Sequence, residues 1–173
     1  MISTTDTRVT TQVYAVYIKA TPQAIWDAIT KPEWTERYGY TALVEYDLRP
    51  GGSYRAVPSE AMKKAGAEMG YPIPDVAVDG EVIEADPPNK LVQTWRMLMD
   101  PTMAGEGFTR LTWEIQEMQA GVSKLTVVHD LEGAPKLAGM LAGKMEPEGA
   151  GGGWSEVLSD LKTLLETGES LRS

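Results

Sequence analysis

Few side chains in this sequence could move a proton near neutral pH or attack a substrate. There is one histidine, His129, and there is no cysteine. Thiol chemistry, disulfides and Cys-ligated zinc are thereby excluded, and a lone imidazole removes most other metal sites. No G-x-S-x-G elbow supplies a serine nucleophile, and no phosphate-cradling glycine motif follows a strand, so no cofactor is expected. His129 shares its parity with Leu125, Val127 and Leu131 and so points to the apolar side of its strand. Three roles stay open for it there: contact with a ligand, proton transfer with a neighbouring Tyr or Asp, or a structural hydrogen bond to backbone or carboxylate.

The aromatic residues say more together than singly. Trp95 alternates in phase with Leu91, Met97 and Met99, and Trp113 with Leu111 and Ile115. Trp34, Tyr38, Tyr54 and Trp154 fall where helices and a hairpin would close the mouth of a pocket. Each can serve as plain core, but an amphipathic ring also suits a pocket with one wet end. Met97, Met99, Met140 and Met145 add thioethers that adapt to irregular shapes. The candidate ligand-binding set is therefore Trp34, Tyr38, Tyr54, Trp95, Met97, Trp113, His129 and Trp154, with no catalytic and no metal-ligating residue. Arg96 and Arg110 face outward.

These residues need elements to hold them. Residues 9–19 alternate as a first strand with apolar groups on both faces, so its buried side is undecided. Thr21-Pro22 is an N-cap followed by proline at the first helical position, opening a short helix with Ala24, Ile25, Ala28 and Ile29 as its stripe and Trp26 beside it. Pro32 starts a second short helix, Glu33 to about Tyr38, with Trp34 and Tyr38 on one face. Strands follow over 41–48 and 53–57 about the Arg49-Pro50-Gly51-Gly52 turn, then over 76–85, 91–99, 109–118 and 124–131, with turns at 105–107 and 120–121. Two segments interrupt them: 58–75, a short helical excursion, and 133–150, which reads either as a surface excursion or as a lid hinged at Gly149 and Gly151 to Gly153. Trp154, Val157, Leu158, Leu161, Leu164 and Leu165 then mark one face of a helix about 20 Å long, stopped by Gly168.

Short turns between strands predict an antiparallel sheet, and a curled sheet of seven strands needs its concave face covered. Only the C-terminal helix is long and apolar enough for that. One helix cannot fill the inside of so wide a sheet, so a cavity is expected between them. The 173 residues read as a single α+β domain with a core at about 10–168. A formal charge of −9, from 16 Lys+Arg against 25 Asp+Glu, argues against nucleic-acid partners and anionic lipid surfaces. No stretch is long and apolar enough for a membrane span and no leader peptide is visible, which makes the cytoplasm the default address.

The segments TPQAIWDAITKPEWTERYGY, DLRPGGSY, VDGEVIEADPPNKLVQTW, LTWEI, KLTVVHDLEG and GGGWSEVLSDLKTLL occur in an order that resembles the bacterial proteins similar to the C-terminal domain of the activator of Hsp90 ATPase. The resemblance covers about residues 10–168, and this chain is longer than the usual pattern at 58–75 and 133–150. It implies the helix-grip fold of the START/Bet v 1-like superfamily. What it implies for function is broader, because members bind lipids, sterols, polyketides and hormones and a minority catalyse cyclisation or hydrolysis. Three functions stand: a non-catalytic binder of a small hydrophobic or amphipathic molecule, a stress-response protein that docks on a chaperone or on a second copy of itself, and a cyclase- or hydrolase-like enzyme. The last requires His129 within hydrogen-bond reach of a second titratable group.

Overall fold

The computed structural model describes residues 10–171. Seven strands form one antiparallel sheet: β1 (Thr11–Ile18), β2 (Leu43–Tyr46), β3 (Ser53–Val57), β4 (Val78–Asp86), β5 (Lys90–Met97), β6 (Thr109–Gln119) and β7 (Val122–Asp130). Their order across the sheet is β1-β7-β6-β5-β4-β3-β2, so the first strand crosses over to pair with the last. Register shifts between Val82 and Glu84 and between Glu117 and Gln119 bend the sheet. Six α-helices accompany it among the described residues: α1 (Pro22–Thr30), α2 (Pro32–Thr35), α3 (Glu60–Glu68), α4 (Pro101–Gly105), α5 (Pro135–Leu141) and α6 (Trp154–Thr167), with a 3-10 turn at Glu146–Glu148. This is the α+β helix-grip architecture expected from the sequence.

The undecided face of β1 is resolved by what lies above it. Gln12, Tyr14, Val16 and Ile18 turn inward, whereas Val13 and Tyr17 are exposed; Val9 lies outside the described residues. Helix α6 packs against β1 and α1, and its last turns are tied to the strand by Lys162 Nζ donating to the Tyr17 carbonyl at 2.7 Å and by Glu166 accepting from the Lys19 amide at 2.8 Å. Leu158, Leu161 and Leu164 are buried beneath it, and Gly168 closes the helix in the left-handed conformation.

Three local features differ from the sequence expectation. Helix α2 stops at Thr35, so Trp34 and Tyr38 do not share a helical face; Tyr38 turns inward and donates its hydroxyl to the Ala28 carbonyl. Between the strand expected to 99 and the turn expected at 105–107, residues 101–105 form a helical turn, with the Asp100 carboxylate accepting the amides of Thr102 and Met103. The 133–150 segment is no free surface excursion. Leu137, Met140 and Leu141 of α5 are buried in the core. Lacking an N-cap side chain of its own, α5 is capped from the β5–β6 connection: Glu106 accepts from the amides of Lys136 and Leu137 at 2.9 and 3.1 Å.

Candidate functional site

The inner face of the sheet carries a row of facing residues, Val82, Gln93, Leu111, His129 and Gln12, contributed by β4, β5, β6, β7 and β1. Strand alternation places Trp95 and Trp113 on the same face, one step either side of the row. The site is built on this row, and it has two halves.

The half near α6 is a nest of rings. Trp95 meets His129 edge-on at 5.4 Å between centroids, His129 meets Trp154 at 5.9 Å, and Trp154 meets Trp113 at 5.3 Å. A single hydrogen-bond chain runs through them. Trp154 Nε1 donates to His129 Nδ1 at 3.1 Å, His129 Nε2 lies 2.7 Å from Thr109 Oγ1, and Thr109 Oγ1 donates to the Trp95 carbonyl at 2.8 Å. An indole N–H can only donate and a backbone carbonyl can only accept, so the chain has one consistent direction. Nδ1 is the acceptor, Nε2 carries the proton, and the imidazole is neutral. Burial depresses the His129 pKa to about 3. Neither partner of the ring titrates near neutral pH, and the pair that acid–base catalysis would need is not formed. A cavity is expected between the sheet and the C-terminal helix; beneath Trp154, at the start of α6, these rings pack against one another instead.

The other half lies toward β2 and β3. Tyr46 and Tyr54 stand with ring centroids 4.6 Å apart. The Tyr46 hydroxyl donates to Gln93 Oε1 at 2.7 Å, and Trp113 Nε1 donates to the same oxygen at 3.2 Å. Because the indole is a donor only, it fixes which end of the Gln93 amide is oxygen. Gln93 is completely buried, and its Nε2 meets no hydrogen-bond partner among the described residues. Burial raises the pKa of Tyr38, Tyr46 and Tyr54; Tyr38 is raised further by Tyr54 and Asp160, and Tyr46 by Tyr54 and Tyr38. A hydrogen bond with the Trp95 indole acts the other way on Tyr54. All three phenols stay protonated in the physiological range.

Of the sequence-predicted residues, Trp95, Trp113, His129 and Trp154 come together as the ring nest, and Tyr38 and Tyr54 lie in the tyrosine half. Met97 is buried at the end of β5. Trp34 is only partly buried at the edge of the core, with the Arg37 guanidinium 5.0 Å from its ring centroid. Sequence reasoning missed Gln93 and Tyr46, although both have the parity of their inward neighbours Trp95 and Val44. It also missed Asp160, a buried carboxylate on α6 that accepts the amides of Gly39 and Leu171, each at 2.8 Å. Arg96 faces outward as expected, paired with Asp79 at 2.7 Å. Two surface clefts, of about 320 and 460 Å³, are lined mainly by outward-facing side chains such as Thr94, Arg110, Glu114 and Lys124; the smaller touches Thr109, and neither is lined by His129 or by a tryptophan of the nest.

Against this geometry the sequence comparison is decisive. Residues 19–166 match the family described as activator of Hsp90 ATPase homolog 1-like protein. The chain belongs to that family. No curated protein matches it. Solved structures share the fold at low identity. The Aha1 dimer from Colwellia psychrerythraea superposes with a TM-score of 0.61 at 15% identity, covering 94% of this chain and 100% of that one. A protein of Mesorhizobium loti gives 0.62 at 19%, covering 90% and 96%. An Hsp90 activator from Plasmodium falciparum gives 0.53 at 18%, covering 71% and 74%. At these identities the likeness is one of fold. This family member shows no helix long and apolar enough to cross a membrane and no cluster of metal-binding side chains among the described residues.

Proposed function

We propose that this protein is a non-catalytic binder of a small amphipathic molecule, held on the inner face of the sheet in its tyrosine half. One observation carries the reading: Tyr46 is a half-buried ring at the margin of the core whose hydroxyl reaches the fully buried Gln93. Together with the buried rings of Tyr54 and Trp95 it sets an aromatic layer between solvent and a polar interior group. Rings with one wet end and a few placed polar atoms are what small-molecule sites use to orient a guest. In this reading Trp113, His129 and Trp154 form the closed wall of the site, and Tyr38, Tyr54, Trp95 and Met97 its lining. The neutral, fully bonded imidazole favours a binder over an enzyme of cyclase type. Native mass spectrometry of protein purified from its own host tests the proposal. A bound small molecule that is released on denaturation is the expected result; a bare protein mass, with no thermal shift from lipid or aromatic-polyketide probes, would overturn it.

A second reading has its own support. The family is described by an activator of Hsp90 ATPase, and the outer surface exposes Val13, Tyr17, Phe108 and Met118. Docking on a chaperone ATPase or on a second copy would cover such side chains. Stimulation of the host chaperone's ATPase, abolished by Tyr17→Glu, supports this reading; no stimulation and no self-association remove it.

A further inference from the structure

The Gln93 amide narrows what the guest can be, given the binding role proposed above. Its oxygen is engaged twice, by Tyr46 and Trp113, whereas both N–H bonds on Nε2 lack an acceptor in a position with no exposed surface. A buried amide donor left unbonded is costly, so this group is matched by an acceptor that the chain itself does not supply. The charges nearby decide which kind. The groups gathered at this half are phenols, indoles and a primary amide, and the charged group that acts on one of them, Tyr38, is the Asp160 carboxylate. None of these is a cation. His129, on the same row, is held neutral. A buried carboxylate or phosphate would lack a counter-ion and would feel Asp160 as a like charge.

We infer that the site selects a neutral oxygenated guest, a ketone, ester, amide or similar carbonyl on an apolar or aromatic frame, whose oxygen accepts from Gln93 Nε2, and that it discriminates against free carboxylic acids. Fatty acids and other anionic lipids are thereby poor ligands. Neutral carbonyl-bearing molecules are good ones.

Three probes of one ring system separate the terms: 2-acetonaphthone, 2-ethylnaphthalene and 2-naphthoate, titrated at pH 7.5 against intrinsic tryptophan fluorescence and followed by thermal shift. The ketone should bind at least tenfold more tightly than the ethyl analogue, and the carboxylate more weakly than the ketone. Gln93→Met, close in shape but without the donor, should erase the ketone's advantage while leaving the ethyl analogue's affinity within about twofold. Equal binding of ketone and ethyl analogue by the unmodified protein would overturn the inference, with the amide then bonded to water only, and would leave the binding role standing. Tightest binding by the naphthoate would overturn it as well. Binding by none of the three would overturn both the inference and the role it rests on. Should the variant fail to fold, the comparison of probes on the unmodified protein decides alone.

Discussion

Trp154 Nε1 donates to His129 Nδ1 across 3.1 Å, joining the first residue of the C-terminal helix to the end of β7. That bond determines the tautomer of the ring, the direction of the chain through Thr109, and the seating of α6 over the sheet. Trp154→Phe keeps most of the ring contact with Trp113 but leaves a buried imidazole nitrogen without its donor. The expected loss is about 2 kcal/mol in urea unfolding. A loss below about 0.5 kcal/mol would show that ring packing alone seats the helix.

The protonation of His129 gives a second test. Its pKa falls from 6.5 to about 3 on folding because the charged form would be desolvated. Below pH 6.5 the unfolded chain takes up a proton that the folded one refuses. The contribution to stability is therefore complete above pH 6.5 and is lost as pH falls from there toward 3. Between pH 7 and 4.5 it amounts to about 2–3 kcal/mol. His129→Gln, which can still accept from Trp154 and donate to Thr109, should flatten this part of the profile. NMR of the imidazole should show no titration between pH 5 and 8; a midpoint near 6.5 would mean that the ring is not sealed.

Much of this was legible from residue order. The alternation of Leu125, Val127, His129 and Leu131 placed the histidine inward, and the spacing from Trp154 to Leu165 defined α6 and its covered face. What was illegible had a physical cause in each case. A glutamine among Leu91, Val92 and Trp95 carries no signal of its own, since parity says only that position 93 faces the core and not that a buried amide is tolerated there. Asp160 reads as a polar position in an amphipathic helix because its partners, the amides of Gly39 and Leu171, come from segments that the fold alone brings near. Residues 101–105 have an N-cap and a proline but no length for periodicity, so only the Gly105-Glu106-Gly107 turn beside them was legible.

Asp160 itself supplies a third expectation. Both carboxylate oxygens accept backbone amides, and the side chain is buried on α6. Asp160→Asn puts an NH₂ against one of those N–H groups, donor facing donor. The expected cost is about 1–3 kcal/mol, accompanied by faster amide exchange at Gly39 or Leu171. Unchanged exchange at both would show that these segments are held by other contacts.

The junction of α5 and α6 gives the last. Gly153 is the N-cap of α6 and has φ +71°, a conformation that L side chains rarely adopt. Space at this position is closed as well: a Cβ here would stand 2.1 Å from the carbonyl oxygen of Leu141, the final residue of α5. With ψ −149° the backbone lies in a region essentially reserved for glycine, so alanine meets both a backbone penalty of about 1–3 kcal/mol and a collision with backbone that has no flexible end to yield. Relief requires α5 to move, and α5 is held by the buried Leu137, Met140 and Leu141 and by the Glu106 carboxylate over its first amides. Gly153→Ala should lower stability by about 3 kcal/mol or more, whereas Gly149→Ala, in the ordinary left-handed conformation with nothing within 4 Å of the added carbon, should cost only about 1–2 kcal/mol. Urea titrations of the two variants side by side measure the difference. Equal losses would show that the contact with Leu141 relaxes freely, and that α5 is a loose flap rather than a fixed part of the cover.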